Sequence, residues 1–207
     1  MDTVIVAHGL WMPGWETMLL RRRLSAAGFR PLLFRFRTIA DGLRVSAERL
    51  ASFAAKAPGD TLHFVGYSLG GVVAVAMLGE RAPARTGRVV CLGSPLRGSR
   101  AAQALARLPG GPRVVGKSML ELVAAGGVPP WSGARDLGVV AGDLAVGVGR
   151  LLVVLPPPND GTVCLDETKL RGLRDHIVLP VSHTTMLFSR AVAAQAIHFL
   201  RHGRFDR

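Results

Sequence analysis

The chain has 207 residues, of which 49% are hydrophobic and 19% are charged, so enough apolar surface is available for a buried core and a disordered protein is excluded. The formal net charge is +12, and all but three of the 26 basic residues are arginines. These arginines are scattered, and the densest cluster, Arg21-Arg22-Arg23, contains no aromatic residues for base stacking. We therefore expect no nucleic-acid binding, and weak attraction to anionic membrane surfaces stays an open alternative.

Strand-like and helix-like segments alternate along the chain. Apolar runs predict strands at residues 2–7, 31–36, 61–66, 88–93, 138–142 and 176–181. Helical periodicity predicts helices at residues 14–28, 41–57, 69–80, 99–107, 115–125 and 184–202. Strands that alternate with helices form a mostly parallel sheet that is covered on both faces. The pattern predicts a three-layer α/β/α fold with about six strands, in a single domain over residues 1–207.

Because Met1-Asp2 leads directly into the first predicted strand, we expect no secretory signal. No apolar run approaches the roughly 20 residues that a membrane-spanning helix needs. Both features predict a cytoplasmic protein. Cys91 and Cys164 have no metal-ligand spacing, and the chemistry predicted below requires neither a metal nor an organic cofactor.

The segment Gly66-Tyr67-Ser68-Leu69-Gly70-Gly71 joins the third predicted strand to an apolar helix. A serine with glycine two positions away on each side is typical of a nucleophile elbow, a sharp turn from strand to helix. The serine of such a turn has a strained backbone, and a Cβ at Gly66 or Gly70 would crowd it. The pattern predicts that the Ser68 hydroxyl is exposed at the carboxyl edge of the sheet, above a helix N-terminus.

An acyl-transfer serine needs a base and a carboxylate that orients the base. His183 follows the last predicted strand and precedes the last helix, so its loop lies at the same sheet edge as Ser68. Asp160, in a turn after the fifth strand, is the preferred carboxylate. Asp143, at the end of that strand, is the first alternative, and Asp166 is the second.

Backbone amides after the first strand and after the serine are candidates for the oxyanion hole. Gly9 lets the chain turn, so that the Leu10 amide can face the site, and the Leu69 amide directly follows the serine. Losing one such donor costs about 2.7–4 kcal/mol of transition-state stabilisation. His8 is expected to brace this loop rather than to carry protons.

Three apolar residues near these loops are candidates for substrate binding. Trp11 and Met12 follow the oxyanion turn, and Met186 lies beyond His183. An apolar mouth suits a hydrophobic acyl chain, although core packing would use the same residue types.

Together these segments resemble the α/β-hydrolase fold, in particular small bacterial serine esterases and lipases with little or no lid. The segments that carry the resemblance are His8-Gly9, the elbow, Ser94-Pro95-Leu96-Arg97-Gly98-Ser99, Asn159-Asp160-Gly161-Thr162-Val163 and Ser182-His183. The resemblance implies that Ser68 is the nucleophile, Asp160 the acid and His183 the base. It also implies Leu10 and Leu69 as oxyanion donors. The sequence departs from the family pattern in lacking two leading strands and a large cap, and in having Tyr67 where histidine is common.

Two questions stay open at the level of sequence. Residues 94–137 are rich in Gly, Pro and Arg, and they form either a small cap or rim beside the site or a surface insertion without a role. The predicted reaction is hydrolysis of a small-molecule or lipid ester through an acyl-enzyme. The same residues would also serve a thioesterase, an amidase or an acyltransferase, and a binding protein that has lost catalysis is a further alternative.

Overall fold

A six-stranded parallel sheet forms the centre of the computed structural model, which describes residues 1–81, 83–146 and 154–207. The strands are β1 (Thr3–Ala7), β2 (Arg30–Phe34), β3 (Leu62–Tyr67), β4 (Val89–Leu92), β5 (Leu137–Gly142) and β6 (Asp175–Leu179). Their order across the sheet is β2-β1-β3-β4-β5-β6, and each neighbouring pair is parallel. The predicted fold class is confirmed, and each predicted strand agrees with the observed one to within two residues at either end.

The α-helices cover both faces of this sheet. They are α1 (Met18–Ala26), α2 (Leu43–Lys56), α3 (Leu69–Arg81), α4 (Arg100–Ala106), α5 (Gly111–Val115), α6 (Lys117–Ala124) and α7 (Arg190–His202). Short 3₁₀ helices lie at Trp15–Thr17, Leu165–Thr168 and Thr185–Leu187. None of these described helices has both the length and the apolar character needed to cross a bilayer.

The helix predicted at 184–202 is in fact two elements. The Ser189 hydroxyl accepts a hydrogen bond from the Val192 amide at 3.3 Å, which caps α7 and separates it from the 3₁₀ helix before it. The helix predicted at 14–28 also begins later, because Gly14 has φ 98 and the following turn is 3₁₀. Both differences arise from local capping and turn geometry that the apolar periodicity does not report.

Alternate strand residues supply two hydrophobic cores, one on each face of the sheet. Phe64 of β3 belongs to the core against α2 and α3, whereas Val65 and Tyr67 of the same strand belong to the core against α1 and α7. With both faces covered, the carboxyl ends of the strands and their loops are the open edge where an α/β sheet binds ligands.

The segment between β4 and β5 packs against the rest of the protein through helix α6, which contacts α2. The Glu121 carboxylate accepts a hydrogen bond from the Leu43 amide at 2.7 Å, and the Ser118 hydroxyl donates to the Asp41 carbonyl at 2.9 Å. These bonds hold α6 beside the start of α2. Helices α4 and α5 lie next to α6 at the carboxyl edge, where they reach the candidate site.

Candidate active site

The turn from β3 to α3 has the strained geometry of an elbow. Ser68 has φ 52, in the left-handed region that residues with a side chain seldom adopt. A Cβ at Gly66 would collide with the backbone of Gly71, and one at Gly70 would collide with the carbonyl of Ala7. Only glycine lets α3 pass this close to β1 and β3, and the serine is thereby held at the carboxyl edge.

Three side chains from distant parts of the chain are in hydrogen-bond contact at this edge. His183 Nε2 lies 3.1 Å from Ser68 Oγ, across 115 positions of sequence. On the other side of the ring, His183 Nδ1 lies 2.7 Å from Asp160 Oδ2. The imidazole therefore lies between the hydroxyl and a carboxylate that is only 1% exposed.

The Asp160 carboxylate is held rigidly by its own turn. Its Oδ1 accepts hydrogen bonds from the amides of Thr162 at 2.9 Å and Val163 at 2.7 Å. The Asp160 carbonyl accepts from the His183 amide at 2.8 Å, so the acid loop and the base loop are joined directly. These bonds leave Oδ2 for the imidazole and fix the direction from which it acts.

The two alternative acids lie elsewhere. Asp143 is exposed beyond the end of β5. Asp166 forms two bonds of 2.7 Å with the Arg100 guanidinium, and the hydrogen bonding to Arg100 lowers the pKa of that carboxyl. Of the three carboxylates considered from the sequence, Asp160 is the one that contacts His183.

Two further residues support the histidine, and the sequence analysis did not assign either of them a role. The Tyr67 hydroxyl donates to the His183 carbonyl at 3.0 Å, and burial raises the pKa of this phenol well above its usual range, which keeps the donor protonated. Gly93 has φ 56, and a Cβ there would lie 3.1 Å from His183 Nδ1 and 3.3 Å from Asp160 Oδ2. A glycine at the end of the fourth predicted strand was the available signal for Gly93.

The predicted oxyanion donors flank the serine. Leu69 is the first residue of α3, and Leu10 lines the same cavity as Ser68. A Cβ at Gly9 would lie 3.0 Å from the Tyr67 ring and 3.3 Å from Ser68 Cβ. The loop after β1 thus approaches Ser68 closely because position 9 has no side chain.

Trp11 ties this loop to the segment between β4 and β5. Its indole Nε1 donates to the Val114 carbonyl of α5 at 2.8 Å, and its amide donates to Thr38 Oγ1 at 3.3 Å. The residue has φ 61, so its backbone is left-handed like that of Ser68. The bond connects the loop after β1 directly to α5.

His8 has the contacts of a bracing residue. Its ring stacks on Phe36 with centroids 4.7 Å apart, and its Nδ1 lies 3.0 Å from the Gly9 carbonyl. Burial lowers the pKa of this imidazole, so the ring is neutral near pH 7.

An apolar cavity of about 250 Å³ opens beside Ser68 and His183. Residues of the loop after β1, of the segment after β4 and of the loop that carries Asp160 form its walls: Leu10, Trp11, Met12, Pro95, Ala101, Ala102, Leu105, Val115, Met119 and Val163. The structure thus places part of the 94–137 segment, from Pro95 to Met119, directly at the site. Trp11 and Met12 line the cavity as the sequence analysis expected.

The expectation for Met186 does not hold. Met186 is only 1% exposed and belongs to the core on the α7 side of the sheet. Its amide donates to the Ser182 carbonyl at 3.0 Å in the tight turn after the last strand, and that turn directs the side chain inward. The residue packs behind His183 rather than at the mouth of the cavity.

The described residues show no metal centre. Within 1–81, 83–146 and 154–207, no group of three His, Cys, Asp or Glu side chains is placed to hold a metal ion. Cys91 and Cys164 are both buried free thiols.

A family model described as "Alpha/beta hydrolase family" matches residues 4–204, which is almost the whole chain. The chain belongs to the α/β-hydrolase family. This agrees with the resemblance seen in the sequence motifs. A comparison of this hydrolase with curated proteins finds no significant match.

Solved structures of esterases and lipases share the fold of this α/β-hydrolase. The Bacillus licheniformis lipase BlEst2 superposes with a TM-score of 0.72 at 16% identity, over 90% of this chain and 86% of the lipase. A metagenomic carboxyl esterase, MGS0156, gives a TM-score of 0.70 at 18% identity, over 89% of this chain and 65% of the esterase. The Vlm2 thioesterase domain gives a TM-score of 0.57 at 16% identity, over 99% of this chain and 94% of that domain. These likenesses show the fold.

Proposed function

We propose that this α/β-hydrolase is a serine esterase that cleaves carboxylic esters, with Ser68 as nucleophile, His183 as general base and Asp160 as the residue that orients the base. The observation that carries the proposal is the hydrogen-bonded series from hydroxyl to imidazole to carboxylate, with separations of 3.1 and 2.7 Å. A nucleophile within hydrogen-bond reach of a base, which a third group orients, is the arrangement that acyl transfer needs. The cytoplasmic location expected from the sequence stays part of this proposal.

In the first half of the reaction, Ser68 Oγ attacks the ester carbonyl carbon while His183 Nε2 takes its proton. The amides of Leu10 and Leu69 donate hydrogen bonds to the carbonyl oxygen as it becomes an oxyanion. Asp160 accepts from Nδ1, which keeps the imidazole in the tautomer whose Nε2 is free and stabilises the imidazolium that forms. Collapse of the tetrahedral intermediate breaks the ester bond, and His183 gives its proton to the departing alcohol.

In the second half, a water molecule replaces the alcohol. His183 Nε2 takes a proton from the water as its oxygen attacks the acyl-enzyme carbonyl, and the same two amides hold the second oxyanion. The proton returns to Ser68 Oγ as the acid leaves. The free enzyme is restored with no net change in its own protonation.

The cavity favours a hydrophobic acyl group. Its walls are mostly aliphatic, and its volume of about 250 Å³ lies near the lower limit of common ligand sites. Ala102 and Met119 form part of the wall between α4 and α6. We infer that the preferred ester has a short apolar acyl chain, because a long chain would extend beyond the apolar walls into water.

An acyl thioester is the second candidate substrate. The attack by Ser68 and the oxyanion contacts are the same for a thioester carbonyl, so the residues of the site do not discriminate between the two. The similarity in fold to a thioesterase domain makes this the alternative to measure first.

The proposal is tested by turnover of nitrophenyl esters of increasing acyl length, compared with acyl thioesters of the same acids. We expect ester hydrolysis with an initial burst of nitrophenol equal to the enzyme concentration, since an acyl-enzyme accumulates when deacylation is slower. A higher kcat/KM for the matched thioesters would favour thioesterase activity over the proposed esterase activity. Turnover of neither series, in protein that is folded, would contradict hydrolase activity on these acyl groups.

A further inference from the structure

Large apolar side chains are exposed on the loops that surround Ser68. Six of them, which we call the apolar rim, have exposed fractions from 40% to 67%: Trp11, Trp15, Ile39, Val114, Leu144 and Phe188. They come from the loops after β1, β2, β5 and β6 and from α5, so all lie toward the carboxyl edge. Single exposed apolar residues are ordinary, but six at the sheet edge that carries the cavity indicate an interaction surface.

Backbone and side-chain contacts connect the members of the rim. The Trp11 indole donates to the Val114 carbonyl at 2.8 Å. Three residues after Val114, the Lys117 amide donates to the Ile39 carbonyl at 2.9 Å. On the other side of the site, the Leu144 amide donates to the Val181 carbonyl at 3.3 Å, two residues before His183. These contacts fix Trp11, Val114 and Ile39 on one side of the site and Leu144 on the other.

The same loops carry an excess of positive charge. Five exposed basic side chains lie on residues 35–42 and 107–117: Arg35, Arg37, Arg107, Arg113 and Lys117. Among the ion pairs between described residues, none involves these five. On the described loops that carry the rim, the exposed carboxylate is Asp143, since Glu16 and Asp41 are buried.

We propose that the apolar rim and these five basic residues dock the protein on an anionic lipid bilayer, with the mouth of the Ser68 cavity turned toward the lipid. Tryptophan is favoured at the depth of lipid headgroups, and basic side chains beside an apolar surface are attracted to anionic headgroups. A second copy of the chain does not suit this surface, because two such faces would bring like charges together. The proposal concerns binding and does not depend on the proposed esterase activity.

The test uses the Ser68→Ala protein, so that vesicle lipids stay intact, and two kinds of vesicle. One kind is pure phosphatidylcholine, and the other contains phosphatidylcholine and phosphatidylglycerol in equal parts. We expect the protein to sediment with the mixed vesicles and not with the neutral ones, and binding to weaken as salt is added. The tryptophan emission shifts to shorter wavelength on binding, because Trp11 and Trp15 enter the interface, and Trp15→Ser reduces this shift.

A matched pair of double variants separates a docking face from general charge attraction. Arg107→Ser with Arg113→Ser removes two rim charges, whereas Arg30→Ser with Arg174→Ser removes two exposed charges at the amino ends of β2 and β6. We expect the rim variant to lose about 25-fold in partition coefficient, or about fivefold for each basic residue, and the control to lose much less.

Three results would overturn the proposal. They are equal losses in the two double variants, mixed vesicles that bind no better than neutral ones, and a dimer in solution that Trp15→Ser dissociates. The last result would assign the apolar rim to a second copy of the chain.

Discussion

Two buried histidines at opposite edges of the sheet show which contacts qualify one of them as the proposed base. His183, at the carboxyl edge, has one ring nitrogen on Asp160 and the other 3.1 Å from the Ser68 hydroxyl. His63, inside β3 toward the amino edge, accepts the Arg88 amide at Nδ1, and its Nε2 lies 3.6 Å from the Asp2 carboxylate. Both rings have a carboxylate within 4 Å of one ring nitrogen. Burial beside an acid is therefore not sufficient, and the remaining nitrogen must face a nucleophile.

The sharpest test of this contrast is to replace each histidine. His183→Ala is expected to lower kcat for ester hydrolysis about a millionfold, as loss of a base in a serine-histidine pair does. His63→Gln is expected to leave kcat within about threefold of the original value, because the ring lies outside the site. Equal loss of activity in both variants, with thermal unfolding showing that both fold, would contradict the distinction between the two edges.

The carboxylate partners allow a second, smaller comparison. Asp160→Asn is expected to lower kcat by about ten thousandfold, because the amide favours the wrong histidine tautomer while preserving shape. Asp2→Asn at the other edge and Asp143→Asn after β5 are matched controls and should retain full turnover. Activity lost in Asp143→Asn and kept in Asp160→Asn would reassign the acid.

A substitution in the cavity wall at the carboxyl edge should change the preference for acyl chain length without a general loss of activity. Ala102→Leu fills space beside Ser68, so kcat/KM for the longest accepted acyl chain should fall by roughly 10- to 200-fold while the acetyl ester is little affected. Ala104→Leu, on the same helix and outside the cavity lining, is the control. A uniform loss across all chain lengths would indicate that this wall does not bind the acyl group.

The histidine at the amino edge predicts a small effect of pH on stability. Burial lowers the pKa of His63 from 6.5, so the unfolded chain binds more protons below that pH. The contribution of the neutral His63 ring to the free energy of unfolding is complete above pH 6.5 and is lost as the pH falls through the lower pKa of the folded state. The loss is about 1.4 kcal/mol for each unit by which folding lowers the pKa. His8 and His176 contribute in the same direction.

Denaturant titrations between pH 7 and 5 measure this effect. His63→Gln should flatten the decline of the unfolding free energy relative to the original protein. An unchanged slope would show that His63 keeps its ordinary pKa in the fold.

The sequence predicted well what depends on local patterns. The sheet follows from apolar runs, and the elbow follows from the steric needs of Gly66 and Gly70 around Ser68. Asp160 and His183 were found because loops after parallel strands meet at one edge. Each of these inferences needs only neighbouring residues and the order of strands.

Features that depend on contacts between distant segments were missed. Helix α5 was not predicted. The hydrogen bond from Trp11 to Val114 joins residues 103 positions apart, and the spacing of apolar residues along the chain carries no information about such a contact. Met186 was expected at the cavity mouth, but the turn that follows Ser182 directs it into the core. Tyr67 supports His183 through a carbonyl 116 positions away, which a motif in the elbow does not reveal.

The most direct measurement for the central claim is labelling with a fluorophosphonate followed by mass-spectrometric mapping of the modified peptide. A phosphonate ester on Ser68 in the original protein is expected, with little or none after His183→Ala, because the hydroxyl then has no base within 3.1 Å. An adduct on another residue, or unchanged labelling of Ser68 without the imidazole, would contradict the account of how this hydroxyl becomes reactive.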